Sequence, residues 1–600
     1  MQQHFRQRIE YFEKEKSSLA SRSNRLSAIR LFLFVVFIVL SVWFIRKQDY
    51  AYVFLSGVVF LCAYLPVVIW HRRIKAGITE NEILIQINRQ EINRLEGNLG
   101  ELDSGIRFYS LRHPYAKDLD IFGDGSLFQL LDRCFTESGQ RRLAYALTSA
   151  RKVNEISEYQ KAVQEVKPEI DFRQHMQMLG KKNRVGEQAQ NLLLDWFASE
   201  DALTWQKRTR WLVIFANGLT LSVIIAAFFF IGWQWLLVPF ALNLYLLRLN
   251  RKKVRAVMEH TDKNTPFLQG LSQLLKNIAR RDFKSERLTA IRKALQINGL
   301  TASTLIKSLA FRFEMLEYTR NPYFYLIANG TFLWELHWMT SIERWRLLVR
   351  PHVENWLNAL NEFEVIASFA GVAYANPDWI FPEITNERFC YSAENLSHPL
   401  IFSPNRVANN FSMCQPGETW VLTGSNMSGK STFLRTLGLN AVLALAGAPV
   451  CAKTMMISPM RVFSSMRTED NLQESTSSFY AELKRLKQLL DYLNGEEPVF
   501  YLLDEILKGT NSADRQAGSK ALIRKLQNQN ASGIIATHDL ELGALHSLYP
   551  DTVFNYSFNS TIHDGELYFD YTLHKGICHS FNATELMKKI GIDICPEDRC

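Results

Sequence analysis

Residues Trp211 to Leu247 carry no charged side chain, and no other feature restricts the fold of this chain as severely. As one helix these 37 residues would be about 55 Å long, nearly twice the ~30 Å hydrocarbon core of a bilayer. Gly232, with Trp233, Gln234 and Trp235 beside it, supplies a turn at an interface, where tryptophan concentrates. Lys207, Arg208 and Arg210 precede the run, and Arg248, Arg251, Lys252, Lys253 and Arg255 follow it. Positive charge on both flanks puts both ends on the cytoplasmic side, so the run crosses an even number of times. Upstream, Leu31 to Ile45 is uncharged and spans if Ser27 to Arg30 is included, with Arg30 snorkelling to the headgroups. Arg46, Lys47 and Asp49 break it, and Tyr50 to Trp70 is again long enough to cross. No small-residue cleavage site follows the first run, which argues against a signal peptide. The pattern predicts two transmembrane hairpins, 27–70 and 211–247, so four helices in the lipid bilayer of an inner or plasma membrane. The N-terminal segment 1–26 and all large segments would then be cytoplasmic. The competing reading is buried core helices in a large soluble protein.

The rest of the chain has globular texture. Residues 71–104 form a helical connector in which Ile78, Ile85, Ile92 and Leu99 recur every seven positions, as in a coiled coil or a packed, partner-facing helix. Residues 105–210 and 248–382 flank the second hairpin and read as helical. Arg280, Arg281, Lys284, Arg287, Arg292 and Lys293 form a basic cluster that suits either phosphate contacts or a solvated surface. A net charge of +9 permits binding to nucleic acid or anionic lipid. The eight cysteines are scattered, with no C-x-x-C pair, and signal neither a zinc site nor a disulfide framework. From about Glu383 to residue 572 short β-rich runs alternate with helices, the texture of an α/β nucleotide-binding domain. A tail, 573–600, follows.

The chemistry concentrates in that last domain. Gly424-Ser425-Asn426-Met427-Ser428-Gly429-Lys430-Ser431 fits the phosphate-binding P-loop pattern, with a strand before it and a helix after it. Backbone N–H groups from Gly424 to Thr432 would wrap a phosphate at a helix N-terminus. Lys430 would reach the β/γ-phosphates, and Ser431 would hold Mg²⁺. Val499 to Leu503 is an apolar strand ending in Asp504 and Glu505. A carboxylate there can hold the Mg²⁺ shell, assigned to Asp504. Glu505 is placed to orient and deprotonate an attacking water. Ile534 to Thr537 is a further strand, and His538 at its end can contact the γ-phosphate or the water.

The runs TGSNMSGKSTFLRTLG, SSFYAEL, LLDEILKGTNSADRQ and ATHDLEL resemble the MutS family of DNA mismatch repair ATPases, whose ATPase is of the ABC type. LNEFEVIASFAGVA, SHPLIF and GSLFQLLDRCFTESGQRRLAYAL extend the resemblance over about residues 105–590. With the two transmembrane helical hairpins read from the apolar runs, the resemblance leads to a multidomain membrane protein with an α-helical core and lever region and a C-terminal α/β P-loop ATPase domain. It implies that Ser477 acts on the nucleotide of the opposing subunit and that Asn426 is the P-loop asparagine. Arg406 or Val407 falls where the family packs a side chain on adenine. Asn511, Ser512 and Asp514 match a segment at the dimer interface, and the tail would serve dimerisation. A homodimer with composite ATP sites follows, since one chain supplies half of each.

The departures are specific. Ser425 and Ser428 replace the family's P-loop proline and second glycine, and Leu507-Lys508 replaces a Gly-Arg. Asn471 replaces an acidic residue, and nothing resembles the mismatch-reading domain with its Phe-x-Glu wedge or a nuclease motif. The expectation is therefore an ATP hydrolase, anchored in a membrane, that couples ATP and Mg²⁺ to clamp-like binding of DNA, reading shape rather than a mispair. The alternative is an ATP-driven membrane machine acting on a protein partner.

Overall fold

The computed structural model describes residues 1–110, 113–183, 194–197, 203–230, 232–297, 299–402, 405–425, 427–466, 478–508, 510–563 and 566–578. Two long helices open the chain, α1 (Gln2–Arg46) and α2 (Tyr50–Glu96). They form an antiparallel hairpin that outruns its apolar half. Arg6–Glu96, Glu13–Arg89 and Lys16–Glu82 ion pairs join the polar halves. Helices α3 (Leu127–Leu131), α4 (Glu137–Thr148), α5 (Val153–Val166) and α6 (Ile170–Lys182) begin the core. Ser126 and Gln129 form a reciprocal capping box at α3, and Thr136 caps α4.

The second charge-free run becomes α7 (Leu203–Phe229), a 3₁₀ turn (Trp233–Leu236) and the start of α8 (Leu237–Arg280), with Gly232 in the break. Then follow α9 (Glu286–Ala294), a β1–β2 ribbon (Gln296–Ile297, Leu300–Thr301), α10 (Ala302–Glu317), α11 (Pro322–Phe332) and α12 (Trp334–Ala375). Among the described residues, three helices are long and apolar enough to cross a membrane: α1, α2 and the Thr209–Phe229 part of α7. The apolar windows of α1 and α2 have no buried residue. The fourth expected span differs in kind. From Leu237 the uncharged run of its helix ends at Leu247, and Arg248, Arg251, Lys252 and Lys253 follow in the sequence.

A buried polar joint ties α2 to the core. Arg133 donates from Nε and Nη2 to the two carboxylate oxygens of Glu91, at 2.8 and 2.7 Å. Arg94 adds a third bond to Glu91 at 3.3 Å. The same loop grips α12: Arg133 N donates to Ser368 Oγ (3.2 Å), and Glu364 accepts from Phe135 N, Thr136 N and Thr136 Oγ1 at 2.8, 3.0 and 2.6 Å. Part of the basic cluster is spent on local pairs. Arg281 meets Glu169, Arg287 meets Glu362 and Arg292 meets Asp282. For these three residues the structure favours the surface reading over phosphate contacts.

The C-terminal region carries two sheets. The smaller orders β3 (Glu383–Ile384), β7 (Thr454–Ile457), β4 (Tyr391–Leu396) and β5 (Asn409–Met413). Here the cysteine expectation fails. Cys390 and Cys414 form a disulfide, because the β4–β5 register that pairs Tyr391 with Met413 sets them opposite each other. Spacing in sequence cannot reveal a cross-strand pair. The larger sheet runs β12 (Glu566–Lys575), β11 (Val553–His563), β6 (Thr419–Gly424), β10 (Ser532–Thr537), β9 (Val499–Asp504) and β8 (Arg461–Ser465). All neighbours are parallel except β11–β12. Strands β6 and β10 are buried throughout, as expected of strands covered on both faces.

Candidate functional site

The parallel register sets the site. Thr537 pairs with Thr423, and Ala536 pairs with both Leu422 and Asp504, so β6, β9 and β10 end at one edge. In open α/β sheets ligands bind outside these carboxyl ends. The loop after β6 turns into α13 (Lys430–Ala446), with Gly429 as its N-cap at φ +100°. A Cβ on Gly429 would lie 3.0 Å from the Tyr571 ring, so the close approach of β12 requires glycine here. At Gly424 a Cβ would meet Phe558 O and Ser428 Oγ, both at 2.8 Å.

Lys430, the first helical residue, folds back and donates to the carbonyls of Gly424 (2.8 Å) and Ser425 (2.9 Å). Burial pushes its ammonium below its ordinary pKa, and Asp504 and Glu505 pull it back. Ser431 Oγ donates to Asp504 Oδ2. Asp504 Oδ1 is buried without a hydrogen-bond partner, as are Ser425 Oγ and Ser428 Oγ. Burial raises the Asp504 pKa, with Ser431 and Lys430 opposing. An orphaned carboxylate oxygen beside a hydroxyl suits a hard divalent cation, and orphaned hydroxyls with a helix N-terminus suit phosphate. These residues fit Mg²⁺ and a nucleotide.

Glu505 follows β9 with φ +49°, a conformation that turns its side chain out of the strand. Its N–H bonds Ala536 O at 2.9 Å. His538 Nε2 lies 2.5 Å from Glu505 Oε1, and Lys508 pairs with Oε2. The His538 hydrogen bond, with Lys508 adding to it, holds the Glu505 carboxyl at a pKa of about 2. Both carboxylate oxygens are therefore engaged.

A cavity of about 510 Å³ opens beside the P-loop. Met427, Ser428, Gly429, Lys430, Ser431, Thr432 and Glu505 line one side. His398, Arg406, Val407, Asn409 and Tyr571 line the other. Val407, half exposed, and Arg406 both line the cavity. Burial, with Arg435 and Arg406 nearby, lowers the His398 pKa to about 4, which keeps this ring neutral. Tyr571 carried no motif in the sequence, and His398 lies in the SHPLIF run with no role assigned to it. Both reach the cavity from segments outside the P-loop. Asn426 and Ser477 lie outside the described residues. Asn511 accepts from Asp514 N at 2.8 Å and so caps the helix Ser512–Asn528.

The MutS domain V family model matches residues 420–593, from the second residue of β6 past Asp504, Glu505 and His538. The Endonuclease MutS2 of Thermus thermophilus is 34% identical over 149 residues, 25% of this chain. The chain spans 20% of that relative's length. Over residues 420–593 the chain is thus similar to the C-terminal domain of the MutS family.

Proposed function

We propose that this protein is a membrane-anchored, MutS-like P-loop ATPase that couples ATP binding and hydrolysis to a clamp-like grip on DNA. The observation that carries the ATPase is the meeting, at one sheet edge, of Lys430 and Ser431 with Asp504, Glu505 and His538. Lys430 exchanges its two loop carbonyls for β/γ-phosphate oxygens, and the backbone N–H groups of Gly424 to Thr432 orient the phosphates. Asp504 and Ser431 would hold Mg²⁺, which would supply positive charge against the negative charge that develops in phosphoryl transfer. Glu505 releases an oxygen to orient and deprotonate water, with His538 holding the other. Val407, Arg406 and Tyr571 close the cavity over the base, and Ser477 serves the opposing subunit's nucleotide in a homodimer.

Three exposed apolar helices support membrane anchoring. DNA is supported by the match to MutS domain V and by the net charge of +9. Purified protein should hydrolyse ATP only with Mg²⁺ and lose activity on Lys430→Ala. It should also bind duplex, junction or single-stranded DNA with an affinity that falls steeply with salt. An absence of any salt-dependent DNA binding would remove the DNA part and favour a protein partner.

A further inference from the structure

The helix α11 (Pro322–Phe332) lies in a stretch, Asn321 to Trp334, of 14 consecutive uncharged residues. A helix apolar on all sides is normally buried in a core or in lipid. This one is not buried in a core. Tyr323 is 81% exposed, Ile327 64%, Phe332 54% and Leu326 49%. Positions 323, 326 and 327 share one helical face.

Its surroundings are those of the second hairpin. Phe240 of α8 packs so closely on Gly330 that a Cβ there would sit 2.1 Å from the ring. Asn243 of α8 donates to Gly330 O (2.8 Å) and Thr331 O (3.3 Å), and reaches Thr220 of α7 at 3.3 Å. Asn243 precedes Arg248 by about 7 Å of helix, so α11 docks inside the charged rim of the hairpin.

The backbone ends of α11 need no water. Pro322 has no N–H to satisfy. Asn321 Oδ1 accepts from Tyr323 N (3.0 Å) and Phe324 N (3.2 Å), and Asn321 O accepts from Tyr325 N (2.8 Å). At the other end Asn329 O accepts from Leu333 N at 3.2 Å, and Asn243 covers the next two carbonyls. A lipid environment imposes this condition, since each unsatisfied backbone group there costs several kcal/mol.

We propose that α11 is a membrane-inserted helix, seated on the second hairpin and facing the lipid acyl chains through Tyr323, Leu326 and Ile327. Its length of about 16 Å is half the hydrocarbon thickness, so it enters one leaflet rather than crossing. Trp334, whose Nε1 donates to Met315 O at 2.8 Å, and Tyr318 flank it with the aromatic residues that mark a membrane interface. The inference rests on the reading of the hairpins as membrane elements.

The test uses full-length protein carrying Cys62→Ala, Cys595→Ala and Cys600→Ala. A polarity-sensitive fluorophore is attached at Ile327→Cys, at Phe228→Cys on α7 or at Tyr145→Cys on α4. Each variant is reconstituted in phosphatidylethanolamine/phosphatidylglycerol vesicles with nitroxide on the lipid chains. Positions 327 and 228 should both lose fluorescence to the nitroxide, and position 145 should keep it. Quenching at 228 without quenching at 327 overturns the insertion of α11 and leaves the hairpin in place. Loss of quenching at both overturns the membrane reading itself.

Discussion

Replacing Glu91 by alanine should loosen the joint that connects the first hairpin to the core. The Glu91 and Arg133 side chains are 7% and 3% exposed, and their bond is bidentate. Removing the carboxylate leaves Arg133 and Arg94 buried together without their shared anion. Breaking a buried pair in this way costs about 3–5 kcal/mol, mostly the penalty of the uncompensated charge. Native-state hydrogen exchange should therefore show amides 128–135 losing protection on the order of 10²–10³-fold or more. The double substitution Glu91→Leu/Arg133→Met removes both charges and should recover much of the loss. The joint should also weaken in acid. Burial opposes ionisation of Glu91, but Arg133 and Arg94 outweigh it and hold its pKa below the usual carboxylate value. A depressed pKa contributes stability above the unfolded value of about 4.3 that is lost as pH falls through the folded one. Protection within threefold of the parent in Glu91→Ala, or a double variant no better than the single, would refute the electrostatic account.

Glu505→Gln should keep ATP binding and lower turnover by about 10²–10⁴-fold, read by radiolabelled hydrolysis beside filter binding; turnover within tenfold of the parent would remove its role as base. A Ser477→Ala chain mixed with a Lys430→Ala chain should recover one working site per dimer, and no recovery of hydrolysis would count against sites shared between subunits. Cys390 and Cys414, 24 residues apart in sequence, close a loop whose bond is worth about 3.5 kcal/mol by chain entropy. A reducing cytoplasm would hold this bond open, so both thiols should be found alkylated after denaturing lysis of cells into iodoacetamide if their domain faces that compartment. Recovery of the bond from such cells would contradict that placement.

Much of the site was legible because it is built from short local patterns. A glycine loop before a helix, Asp504-Glu505 after an apolar run, and His538 after another each announce a strand end. Sequence could not show that three separate strand ends share one edge. That follows from the β9–β10–β6 order, fixed by parallel pairing between segments far apart in the chain. The same limit hid Tyr571 at the cavity and the Cys390–Cys414 pair, both made by tertiary register.

The sequence by itself determined where charge is absent, and so which helices can lie in lipid: hydropathy is additive along the chain and needs no partner to be read. It also determined the phosphate-binding loop, because backbone geometry there depends on glycine at fixed offsets. Only the tertiary structure decided how these parts are joined. It turned α1 and α2 into one continuous hairpin bound to the core through Glu91 and Arg133. It paired Arg281, Arg287 and Arg292 with acidic neighbours. It also left α11 exposed on the second hairpin rather than buried. Burial and pairing depend on what the rest of the chain brings alongside, and a linear pattern does not contain that information.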